Sequence, residues 1–235
     1  MSLTSATGTS TPRTAPEHVP AAGPRKTRRG RVIAGTGAVY VASWVTGLLL
    51  APATPAATAP AETIHQYYAT EGASILVQSS LIHGIAGVAL AVLAFAIPAA
   101  TAASLGLSRV IKAAGVAAAL VSLLQVAFAA VAVARAGSAT AATSERLFDN
   151  LNIADTVKLV LLAIFAASTT LAATRSRLVG RRTQALTAAL VVALPIGGAA
   201  FLIDNPLLTA VLYASLPLLL TWAAAISWQV GRRAR

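Results

Sequence analysis

Charges of both signs enter a long apolar run at one place only. Asp155 and Lys158 lie three residues apart, directly before the stretch LVLLAIFAASTTLAAT at 159–174. At i,i+3 on a helix they share a face and can pair. An ionisable side chain at mid-bilayer costs about 2.5–3.5 kcal/mol on insertion scales, so such groups usually turn inward and find partners. The available partners are Gln78 and His83 in one apolar run and Gln125 in another. His83 suits either an interhelical hydrogen bond or proton and ligand binding. Gln125 suits hydrogen-bonded glue between helices. Gln78, His83, Gln125, Asp155 and Lys158 are therefore the candidate intramembrane cluster. Lys158 has a second reading. A lysine one turn deep can snorkel to the headgroups, with Asp155 already in water.

Other chemistry has little to stand on. The chain contains no cysteine, which removes disulfides, thiolate catalysis and cysteine-ligated metals. No Walker A loop or HExxH is present, and no GxSxG. One membrane histidine cannot supply a bis-histidine haem site. A retinal Schiff base on Lys158 does not suit six spans and a lysine near the outer end of the fourth. Glu62 and His65 can meet at i,i+3 on a short helix, but two ligands without a third make a weak metal site. No metal, cofactor or catalytic residue is assigned.

Composition explains why these residues must be held by membrane helices. Hydrophobic residues make up 57% of the 235, charged residues 11%, and mean hydropathy is +0.74. Soluble domains run near 45–50% apolar and about 25% charged. The net charge of +11 would suggest nucleic acid in a soluble protein. Here the bases flank apolar runs, so orientation in the membrane accounts for them and no nucleic-acid partner is expected. The abundance of alanine and arginine points to a GC-rich bacterial source and a plasma-membrane location.

Six apolar runs follow, at about 32–51, 73–99, 110–134, 153–174, 184–203 and 207–230. Each approaches or exceeds the ~20 residues that cross a ~30 Å hydrocarbon core. Without period-2 alternation they are helices, since lipid admits only helices or closed barrels. The expected fold is all-α, a six-helix transmembrane bundle behind a disordered basic tail at 1–31. The first span is too long for a cleaved secretory signal. Placing the N-terminus inside puts fifteen of the eighteen basic residues on inner segments, as the positive-inside rule requires. Both termini are then cytoplasmic. Gln78, His83, Gln125, Asp155 and Lys158 all fall in the outer half of the bilayer. The cluster Arg25–Arg31 anchors this topology and can meet anionic headgroups.

The loops 52–72 and 135–149 read as polar outer connections, with Tyr67 and Tyr68 at headgroup level. Ser79 and His83 share a helix face at i,i+4. Gly84 and Gly87 invite a close neighbour, and so do Pro195, Gly197 and Gly198, where a kink is also expected. Asp204-Asn205-Pro206 is a tight turn.

The stretches Gln66-Tyr67-Tyr68, Gln78-Ser79-Ser80-Leu81-Ile82-His83-Gly84 and Asn152-Ile153-Ala154-Asp155-Thr156-Val157-Lys158-Leu159 resemble those of small multi-pass integral membrane proteins common in actinobacteria. The resemblance covers the six spans and not the tail. It implies a membrane bundle and carries no activity, cofactor or site residue with it.

Three functions fit. The first is a non-enzymatic structural, assembly or regulatory membrane protein, which the short loops and absent catalytic motifs favour. The second is a small transporter or receptor, in oligomeric form or alone, using the outer cluster for a small solute or proton. No 3+3 inverted repeat is visible in its support. The third is a lipid-acting enzyme with His83 as base.

Overall fold

The computed structural model describes residues 24–233. Among them the chain is 85% helical with no strand. The elements are α1 (Pro24–Leu49), α2 (Ala61–Thr70), α3 (Gly72–Ser79), a π-helical segment (Ser80–Ile85), α4 (Ala86–Ala100), α5 (Leu105–Arg135), α6 (Ala141–Arg175), α7 (Arg181–Gly198) and α8 (Pro206–Arg233). A 3-10 turn, Ala199–Phe201, follows α7. The segment α3–π–α4 is one continuous rod. Six helices, including this rod and excluding α2, are long and apolar enough to cross a membrane.

Short connections make successive spans antiparallel neighbours. α1 packs on α4, α4 on α5, α5 on α6, α6 on α7 and α7 on α8, and α8 closes back on α1. α6 is the most enclosed, with 61% of its apolar window buried. The core runs the length of the bundle through Leu90, Ile111, Phe165, Leu194 and Trp222. Phe165 and Trp222 meet edge-on at 6.0 Å. A smaller cluster around Ile64, Tyr68, Ile75 and Phe148 ties α2 across one end.

The helix ends follow from sequence chemistry. Ser104 and Thr140 accept from the backbone N–H groups of Leu107 and Thr143, capping α5 and α6. Asn205 Oδ1 accepts from the N–H groups of Leu207 and Leu208, so the expected turn at 204–206 starts α8. α6 ends in a Schellman motif. Leu178 N–H reaches Ala173 O and Arg177 N–H reaches Thr174 O, with Arg177 at φ 54°. That left-handed position favours glycine. Arg177→Gly is expected to stabilise the fold by about 1 kcal/mol, read as a higher unfolding midpoint. An unchanged midpoint would show that the side chain contributes more than its backbone costs.

Three boundaries differ from expectation. Residues 24–31 are helical, not part of a disordered tail. Pro24 suits the first helical position, and the arginines and lysine after it are good helix formers. The rest of the expected tail, 1–23, lies outside the described residues. The expected loop at 135–149 is helix from Ala141 onward. It is amphipathic, burying Ser144 and Phe148 against α2. Part of the 52–72 loop is α2.

Small residues set several helix separations. A Cβ on Gly87 would come within 3.1 Å of Ser122 Cβ, whereas one on Gly84 would meet only Val126 at 3.8 Å. A Cβ on Gly197 would lie 2.8 Å from Leu212 Cα. Pro195 falls inside α7, close to its end at Gly198. Between α1, α4 and α5 an apolar groove of about 700 Å³, lined by Val39, Val88, Val92 and Leu123, has Arg31 in its wall.

Candidate functional site

α6 carries Asp155 and Lys158 one turn apart, and its rotation turns both toward the bundle axis. Lys158 Nζ donates to Asp155 Oδ1 at 2.5 Å, to Gln125 Oε1 of α5 at 2.9 Å and to His83 Nδ1 of the π segment at 3.1 Å. Its ammonium also lies 5.6 Å from the Trp44 ring centroid of α1, within cation–π range. An ammonium has three donors and no acceptor. All three are used. Because His83 Nδ1 accepts, the ring is the neutral tautomer with its proton on Nε2. The cluster is thus a neutral ion pair with two polar supports, joining four spans.

This geometry corrects the snorkelling expectation. Lys158 is 2% exposed and reaches inward, not to a headgroup layer. Its position falls on the buried stripe of α6 with Ala154, Leu162 and Phe165. A snorkelling lysine would leave Asp155, Gln125 and His83 without their common donor.

Gln78 stands apart from the other four. It is half-buried and lines a cavity of about 450 Å³ at the end of the bundle that α2 covers. Asp155 and His83 line the same cavity, so it ends against the ion pair. Its walls include Trp44, Tyr67, Tyr68 and Asn152. Ser79 and His83 share it, as their expected common face required, although His83 lies in the π segment that begins directly after Ser79. In that segment Ala86 N–H reaches back to Leu81 O, the i→i−5 pattern that recurs at functional sites.

Two hydroxyls on this cavity have no hydrogen-bond partner among the described residues, Tyr68 Oη and Ser79 Oγ. Both side chains are buried, at 2% and 6% exposure. Tyr68 was expected at headgroup level and instead packs inward beside Ile64 and Phe148. Its phenol pKa is raised, by burial first and by Tyr67 beside it second. Tyr67 is also raised, chiefly by burial. Both phenols therefore stay protonated through the neutral range. Folding favours the neutral phenols, so this contribution is lost only as pH rises above about 10.

Glu62 and His65 do lie on one short helix, but His65 Nδ1 is 2.9 Å from Ser144 Oγ of α6, while Glu62 is exposed. Among the described residues no three histidine, aspartate or glutamate side chains are grouped to hold a metal.

Sequence reasoning passed over two features. Trp44 is unmarked within its apolar run, yet it meets both the cavity and the lysine. A second polar ladder lies nearer the arginine-rich end. Trp222 Nε1 donates to Thr170 Oγ1 at 3.1 Å, Thr170 and Thr187 hydroxyls pair at 2.9 Å, and Gln229 Nε2 donates to Thr183 Oγ1 at 2.8 Å. These bonds staple α6, α7 and α8. Hydroxyls in apolar helices are the signal that could have found it.

The fold and the buried pair define the class: a multi-pass α-helical membrane protein with a polar centre in its bundle. No protein-family model, curated protein or solved structure matches the chain.

Proposed function

We propose that this chain is a non-enzymatic receptor or carrier that takes a small solute into the cavity beside Asp155 and His83. It resides in a bacterial plasma membrane with both termini cytoplasmic, so the cavity opens outward. The observation that carries the reading is the cavity itself. Its volume of about 450 Å³ lies in the range of small-molecule sites, and it combines apolar walls with a few convergent polar groups. The charge distribution supports the orientation. Arg28, Arg29 and Arg31 then face the anionic headgroups of the inner leaflet, and the adjoining apolar groove suits an acyl chain.

A structural or assembly role is the second reading, and one observation favours it. Every donor of Lys158 is already satisfied, so the ion pair can serve as an interhelical staple with no ligand at all.

Single cysteines separate the two, because the chain has none of its own. Cysteines at Gln78, His83, Lys158, lipid-facing Ala130, Ala56 and Gly180 would be treated in intact cells with a membrane-impermeant thiol reagent. Positions 56, 78 and 83 are expected to react, and 130, 158 and 180 to stay unlabelled. Labelling at 56 without 78 or 83 closes the cavity and leaves the structural role. Labelling at 180 in place of 56 inverts the topology.

A further inference from the structure

We infer that the cavity takes an organic ammonium ion, a reading that rests on the binding role proposed above and names its ligand class. Four observations converge. First, Trp44, Tyr67, Tyr68, Phe148, Phe201 and Tyr213 all line the cavity. They are half of the twelve aromatic side chains in the chain, gathered along one cavity. Aromatic faces attract ammonium groups through the ring quadrupole, more strongly where water is excluded.

Second, the one charged residue in the wall is a carboxylate. Asp155 lines the cavity, and no lysine or arginine does. Lys158 takes Oδ1, while the aspartate side chain stays 20% exposed. A guest cation can approach that carboxylate from the cavity side without meeting a positive side chain on the wall. An anion would meet the Asp155 carboxylate with no cationic side chain on the wall to offset it.

Third, Tyr68 Oη and Ser79 Oγ are buried on this wall without partners. Buried hydroxyls are almost always bonded, and rotation of either side chain toward the cavity would offer its unpartnered hydroxyl to a guest. Two hydroxyls suit a guest that carries a hydroxyl or carbonyl beside its ammonium.

Fourth, the end of the bundle that holds the cavity carries the right sign. Glu62, Glu71, Glu145, Asp149 and Asp204 lie at this end of the bundle against Arg135 and Arg146. A negative surplus there raises the local concentration of cations.

The test uses the full chain in nanodiscs of neutral lipid, titrated calorimetrically with choline, with the larger benzyltrimethylammonium, and with 3,3-dimethylbutan-1-ol, the uncharged carbon analogue of choline. Both ammonium ions are expected to bind at least tenfold more tightly than the neutral alcohol. Asp155→Asn and Tyr67→Leu are each expected to weaken the ammonium ions about tenfold while changing the alcohol little. Asp155→Asn risks the fold because it strips Lys158 of its counter-charge, and half-buried Tyr67→Leu then carries the test. Equal binding of alcohol and ammonium overturns the inference, and so does the absence of ammonium binding. The labelling of positions 78 and 83 reports independently on the cavity. Labelled positions with no ammonium preference refute the ligand class alone, and unlabelled positions refute the binding role beneath it.

Discussion

Asp155→Ala is expected to destabilise the folded protein by about 3–5 kcal/mol, the usual cost of removing one partner of a buried ion pair. The reason lies in what remains. Lys158 is 2% exposed, and its ammonium would keep only Gln125 and His83, two neutral acceptors, in a setting with little water. The reverse change is milder. Lys158→Met leaves the aspartate, but Asp155 is 20% exposed and lines the cavity, so it can be hydrated there. About 1–3 kcal/mol is expected, as for an unsatisfied buried polar group. Replacing both, Asp155→Ala with Lys158→Met, is expected to recover most of the loss, because no buried charge is then left unpaired. The measurement is a double-mutant cycle on unfolding midpoints in micelles. Additive losses would show that the two side chains do not act as a pair.

The second large effect is steric. α1 and α8 touch where Gly37 meets Ser227, and a Cβ on Gly37 would fall 2.2 Å from Ser227 Cβ. Neither atom can rotate away, so the helices must separate. Gly37→Ala is expected to cost about 1–3 kcal/mol, the range for overpacked cores. Because α8 closes the ring onto α1, the loss should appear as lower thermal stability of the whole bundle. Ser227→Gly supplies the missing space and is expected to rescue Gly37→Ala. Gly35, two residues earlier, is the control. A Cβ there meets nothing within 4 Å, so Gly35→Ala should be neutral or stabilise by about 0.5–1 kcal/mol through helix propensity. If Gly37→Ala behaves like Gly35→Ala, the α1–α8 contact is looser than described.

Much of the architecture was legible in the residues. The six spans stand out because lipid leaves no alternative to a long apolar helix, and short connections make them antiparallel. That His83, Gln125, Asp155 and Lys158 fall at one level of the bundle followed from counting along those helices. The helical reach of α6 back to Ala141 was also written there. Thr140 is a capping residue, and Ser144, Leu147, Phe148 and Leu151 recur at helical spacing. Polarity masked it, because a polar amphipathic turn beyond the apolar run looks like loop.

What the residues determined by themselves is therefore class, span number and the level of each polar residue along its helix, because hydropathy marks where each apolar run begins and ends. What only the tertiary structure decided is rotation about each helix axis. Val157, Val160 and Ile164 face outward on α6, whereas Leu159, Leu162 and Phe165 face inward, and the two sets are equally apolar. With no polar face to mark the outside, nothing local says which way Lys158 points. Packing against α2, α5 and α7 sets that rotation, with Trp44 of α1 over the lysine. It turns the lysine from a snorkelling side chain into the centre of a buried cluster, and it gathers six aromatic side chains from distant segments around one cavity.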